Sequence, residues 1–208
     1  MSRVAAKNTE LSPAKREQIL RGARDAFAHL GYERASVDFI ARRAGCSKAT
    51  IYNHFHDKKD LFFACFAGEL QVRASFIAML EAAPRPDVEG DLRALADALL
   101  RLVVAPNVIR RWRIIAAEVE RFPELGQSLW TFGGQLSHDM LTGWMERAGA
   151  AGLLRIDDAD EAAVDFAVLT IGDLLRKLQI GVIREASEED IRRNVDRAVR
   201  TFLRAYRP

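Results

Sequence analysis

Several protein classes are excluded by what the chain lacks. Its 208 residues contain two cysteines, Cys46 and Cys65. Two thiols make no disulfide framework, and a reducing compartment keeps them reduced. No run approaches the roughly 18 consecutive apolar residues of a membrane span. Residues 1–10 hold no apolar core of signal-peptide length. The expectation is a cytoplasmic protein without a membrane partner. There is no GxSxG elbow, no phosphate-cradling glycine loop and no HExxH pair, so no catalytic residue, cofactor or enzymatic activity is expected. His54 and His56 lie two apart, which on a helix turns them to different faces, and no metal site is expected of them. No segment alternates with the period of a strand. The formal net charge of +2 is too small to mark a nucleic-acid binder by itself.

The distribution of charge says more. Residues 1–60 hold twelve Lys or Arg against seven Asp or Glu, whereas the remainder is net acidic. A basic head on an acidic body suits a DNA-binding segment attached to something else.

The apolar spacing predicts helices throughout. Ser12-Pro13 starts the first, Ile19, Ala23, Ala26, Phe27 and Leu30 share its face, and Gly31 ends it. Ser36 caps a short second helix with Val37, Ile40, Ala41 and Ala44 inward. Gly45-Cys46-Ser47 is a tight turn, and Ser47 caps a third helix that buries Ile51 and Phe55. Asp57, with Asp60 at N3, opens a fourth over 58–82. That helix is apolar on more than one face and reads as a connector. Pro84-Arg85-Pro86 breaks the pattern. Further helices are expected over 88–105, 108–122, 123–148, 159–183 and 188–206, with Asp158 and Ser187 capping the last two. The fold class is thus all-α. A three-helix head over 1–56 is joined through a connector (57–82) to a helical ligand-binding and dimerisation domain within 57–208.

Two short helices around a glycine turn, the second polar on its outer face, make a helix-turn-helix. With Ile51 and Phe55 inward, Lys48, Ala49, Thr50, Tyr52 and Asn53 are left outward or sideways. Lys suits guanine, Asn suits adenine, and Ala or a Thr methyl suits the thymine methyl. Tyr52 and His54 suit phosphates. Ser36, Ser47 and Lys58 stand at helix starts, where free N–H groups favour phosphate. A generic helical hairpin shows the same spacing.

The run SVDFIARRAGCSKATIYNHF, Ser36 to Phe55, followed by DKKDLF at 57–62, resembles the DNA-binding signature of the TetR/AcrR family of bacterial regulators. It departs from the family's usual residues at Cys46, commonly aliphatic, and at Ala49, often glycine. Both replacements are small. The resemblance implies an all-helical homodimer that reads a palindromic double-stranded operator, most often as a repressor, and is released by a small-molecule inducer. It places phosphate contacts on Ser36, Tyr52, His54 and Lys58, and base contacts on Lys48, Ala49, Thr50 and Asn53. Residues 118–125, EVERFPEL, are similar to a sequence common in one C-terminal subgroup.

Other features have two readings. Cys46, inside the turn, is a thiol switch or a small buried hydrophobe. Phe66, Trp112, Trp130, Phe132, Met140 and Trp144 line an apolar pocket or are bundle core. The last helix carries Arg192, Arg193, Arg197, Arg200 and Arg204, which resembles a second DNA surface. Its opposite stripe of Ile191, Val195, Val199, Phe202 and Tyr206, with Phe166 of the preceding helix, reads better as a dimer seam. A helical small-molecule-binding module without DNA function is the competing reading of the whole.

Overall fold

The computed structural model describes residues 12–65 and 70–208, apart from the side chains of 70–73 and 132. Every regular element among them is helical. The chain divides into two compact units, residues 1–68 and 69–208.

The first unit holds α1 (Pro13–Arg34), α2 (Val37–Arg43), α3 (Lys48–His54) and α4 (Lys58–Cys65). Pro13 opens α1 with its fixed φ, while the Ser12 hydroxyl makes no capping bond. Gly31 breaks α1 as its position suggests, but one more turn follows through Arg34. Leu61, Phe62 and Cys65 of α4 are buried on α1. The Phe62 ring meets Phe27 edge-on at 5.1 Å and Tyr32 at 5.2 Å. Aromatic burial of this kind ties α4 to α1 within the first unit. The helix expected over 58–82 is described as α4 and α5, and residues 66–69 lie outside the described residues. Phe66 lies outside the described residues.

The second unit contains α5 (Leu70–Glu81), α6 (Val88–Val104), α7 (Pro106–Glu118), α8 (Pro123–Leu129), α9 (Leu136–Ala150), α10 (Ala159–Gln179) and α11 (Glu188–Tyr206). Helix α10 packs on α6, α9 and α11, and α6 also packs on α5 and α11. Leu92, Leu95, Trp144, Met145, Phe166 and Phe202 fill the centre. Asp158 caps α10 through two N–H groups, and Ser187 with Asp190 forms a complete capping box on α11.

Three expectations are corrected here. The single helix expected over 123–148 is α8, a π-helical segment at Trp130–Gln135, and α9. Gly133 and Gly134 weaken α-helix there. A Cβ on Gly134 would stand 2.5 Å from the Trp130 ring, so only glycine lets that ring lie against the backbone. The helix expected over 159–183 ends at Gln179 and is broken at Gly172, with φ 53° and ψ −147°. Asn194 of α11 donates to the Thr170 carbonyl at the break.

The third correction concerns the dimer seam. Phe166, Ile191, Val195, Val199 and Phe202 are all buried within the one chain. Phe166 and Phe202 stack edge-on at 5.2 Å, and Tyr206 lies on Phe202 at 4.3 Å and donates its hydroxyl to Asp165. The stripe is thus covered largely by α6 and α10 of its own chain, with Tyr206 half-buried. What faces outward on α10 is Val164 and Val168, 43% and 64% exposed.

Candidate nucleic-acid interface

The interface is built from α2, the turn after it, and α3. The Ser36 hydroxyl accepts from Phe39 N at 3.1 Å and fixes the start of α2. After α2 the chain turns through Gly45, whose φ is +60°, and Cys46 N donates to Ala41 O at 3.0 Å. From α1, Gln18 Nε2 donates to Ala44 O at 2.6 Å and satisfies a carbonyl at the end of α2. Ser47 then caps α3, its hydroxyl accepting from Thr50 N at 3.0 Å and lying 2.8 Å from the Thr50 hydroxyl. Both ends of the turn are thus fixed by side chains.

Ile51 and Phe55 are buried at 1% and 2% exposure, and Arg16 of α1 sits 5.0 Å from the Phe55 ring centre. At about 100° per residue, Ala49 and Asn53 lie opposite this buried pair. They are the centre of the outward face, and both are exposed, as are Lys48 and Tyr52. Thr50 is half-buried beside the Ser47 hydroxyl.

Two of the remaining expected contacts, Lys48 and Lys58, have local partners. Lys48 Nζ pairs with Asp38 of α2 at 2.9 Å, and that bond raises the ammonium pKa above its ordinary value. Lys58 Nζ donates to Glu33 O at 2.9 Å and lies 4.5 Å from the Tyr32 ring centre, bracing α4 against the end of α1. His54 Nδ1 is buried without a hydrogen-bond partner among the described residues. Asp57 accepts from Asp60 N, and Asp60 reaches back to His56 N. Burial raises the Cys46 thiol pKa against a smaller lowering by Lys15, which disfavours the thiolate that redox chemistry needs. Burial likewise pushes Cys65 up to about 12.

Sequence reasoning missed Gln18, Asp38 and Asp25, which pairs with Arg43 at 2.7 Å. These are polar contacts between helices, and apolar spacing carries no signal for them. The described members of the aromatic set differ in exposure. Trp144 is core at 1% exposure, Trp130 is 58% exposed, and Trp112 and Met140 are half-buried. The Phe132 side chain lies outside the described residues. Among the described residues no helix is long and apolar enough to cross a membrane, and no His, Cys, Asp and Glu group of metal-binding size occurs.

A capped short helix, a fixed turn and a second capped helix with a polar outer face define a helix-turn-helix of the DNA-binding class. Residues 19–65 match the family described as bacterial regulatory proteins, tetR family, and residues 90–208 match the AefR-like transcriptional repressor C-terminal domain. The chain belongs to the TetR family of transcriptional regulators. The HTH-type transcriptional repressor Rv1474c of Mycobacterium tuberculosis is 32% identical over 113 residues, 51% of this chain and 60% of the relative. The repressor AcnR of Corynebacterium diphtheriae is 33% identical over 50% of this chain and 58% of its own. The chain therefore matches less than two thirds of these relatives' length. Among solved structures, the flavonoid-responsive regulator FrrA is 30% identical with a TM-score of 0.75, covering 95% of this chain and 99% of that one. A TetR transcriptional regulator from Agrobacterium tumefaciens is 26% identical with a TM-score of 0.71, covering 94% and 95%.

Proposed function

We propose that the protein is a homodimeric repressor that binds a palindromic operator through α3 and leaves it when a small, largely apolar ligand binds the second unit. The observation that carries this reading is the outward face of α3. Asn53 and Ala49 stand opposite the buried Ile51 and Phe55, on a helix whose start and preceding turn are held by Ser47, Gln18 and Ser36. In this reading Asn53, Ala49, Thr50 and Lys48 read bases, the last after exchanging Asp38 for DNA. Ser36, Ser47, Tyr52, His54 and Lys58 serve phosphates. The repressor names of the relatives support the direction of regulation. A neighbour named for its response to flavonoids supports a small-molecule inducer. The dimer is assigned to the outer face of α10, where Val164 and Val168 are exposed.

Selection of random duplexes by the full chain tests the proposal. The expected product is a palindrome with half-sites about one helical turn apart. Asn53→Ala should relax one position in each half-site, at a cost of about 1–3 kcal/mol. No enriched sequence overturns the DNA reading and leaves a helical ligand-binding module, whereas an enriched pool unchanged by Asn53→Ala overturns the base contact given to Asn53. An inducer must favour the free dimer over the bound one by the same factor by which it weakens the operator, usually about 5–150-fold. A compound that binds both forms equally is not the inducer.

A further inference from the structure

Between α6 and α11 the surface of the second unit opens into a groove of about 670 Å3. None of its residues serves the DNA face or the aromatic set. Its walls carry four guanidinium groups, those of Arg93, Arg200, Arg204 and Arg207, against the side-chain carboxylates of Glu89 and Asp196, and Pro208 also lines it. Leu203 supplies an apolar floor.

The pairing is uneven. Arg93 bonds Asp196 and also takes Glu89 at 3.1 Å, and Arg207 reaches Glu89 at 3.4 Å. Both carboxylates are engaged by these two arginines. Arg200 and Arg204 have no acidic partner among the described residues, although they stand one turn apart on the same face of α11. Like charges at that spacing repel by a few tenths of a kcal/mol. Elsewhere on α11 Arg193 takes Glu189 at i, i+4, whereas Arg197 bonds Asn194. What sets Arg200 and Arg204 apart is their place on a concave wall beside an apolar floor. Guanidinium forks match carboxylate and phosphate oxygens two at a time, and about 300–1,000 Å3 is the usual size of a small-ligand site.

We propose that this groove binds a small metabolite carrying at least two oxyanion groups, phosphate or carboxylate. Arg200 and Arg204 grip one group. Arg93, already oriented by Asp196 and Glu89, and Arg207 meet the other. Arg200 and Arg204 of the last helix then have a use that neither operator binding nor dimerisation requires.

The experiment is calorimetric titration of the full chain with inorganic pyrophosphate and, separately, with succinate. The expected result is saturable binding of at least one probe, one per chain, weakened tenfold or more in Arg200→Ala/Arg204→Ala. Arg193→Ala, on the same helix but outside the groove, should bind as wild type. The tighter probe tells whether phosphate or carboxylate is the preferred group. Arg200→Gln, which removes charge and keeps most of the side-chain length, gives the same reading should the double variant melt early. Two results overturn the proposal: neither probe saturates, or Arg193→Ala loses as much affinity as the groove variants.

Discussion

At the scale of the residue, the helix-turn-helix separates two roles that sequence alone assigns together. Asn53 has an exposed side chain at the centre of the outward face of α3. Lys58 is held by Glu33 O and the Tyr32 ring inside its own unit. A hydrogen bond to a charged group and a cation–π contact, partly exposed, together contribute about 1–2 kcal/mol. Lys58→Met should therefore lower the unfolding free energy by about that amount in urea. If Lys58 also meets a phosphate, the salt slope of operator binding should fall by about one unit with base preference unchanged. Unchanged stability would mean that the brace contributes nothing. The burial of Ile51 and Phe55 was legible because i, i+4 spacing sets a helical face. The partners of Lys48 and Lys58 were not, because each lies on another helix.

At the scale of the element, the helix starts were the most legible features. Ser36, Ser47, Asp158 and the Ser187–Asp190 box all cap where their residue types say they should. The interruptions were not legible. Glycine inside an apolar pattern reads as a small loss of propensity, and nothing local announces that α10 breaks at Gly172. Its φ and ψ belong to a region essentially reserved for glycine, so Gly172→Ala should destabilise the second unit by about 1–3 kcal/mol. A melting temperature equal to wild type would show that α10 straightens at no cost. The stripe on α11 illustrates a different limit. Periodicity shows that Ile191, Val195, Val199 and Phe202 are covered, but not by what. Because their cover is their own chain, Phe202→Asp should unfold the second unit instead of splitting a dimer. Val168→Asp, on the exposed face of α10, should leave circular dichroism intact and shift sedimentation to the monomer. A folded, monodisperse dimer of Val168→Asp rules out that face.

At the scale of the whole molecule, the response to pH follows from a few groups around α10 and α11. Arg101 holds the Glu188 carboxylate below its ordinary range, the Ser187 hydroxyl and N–H do so for Asp190, and Lys177 with Arg176 for Asp173. Groups whose folded pKa is depressed contribute fully above their unfolded values, about pH 4. Their contribution is lost as pH falls through the lower folded values. Tyr206 works in the opposite sense. Burial first, then its bond to Asp165, pushes its phenol up to about 12. Its contribution is complete below about pH 10, the unfolded value, and is lost as pH rises through the folded one. Stability should thus form a plateau through neutral pH with a fall on each side. Glu188→Gln should soften the acid edge and Tyr206→Phe the alkaline edge, both measurable by denaturant titration at fixed pH. Edges unmoved by these variants would assign them to other groups.

The three tryptophans occupy three environments: Trp144 is enclosed, Trp112 is half-covered and Trp130 stands in solvent. The chain therefore contains a graded optical reporter. Emission from Trp144 belongs at the blue edge and resists collisional quenching, whereas Trp130 emits to the red and meets acrylamide freely. Light collected across the band resolves the core from the surface without any added dye. Shielding of the red component as protein concentration rises would mark the π-helical segment as a place where molecules meet.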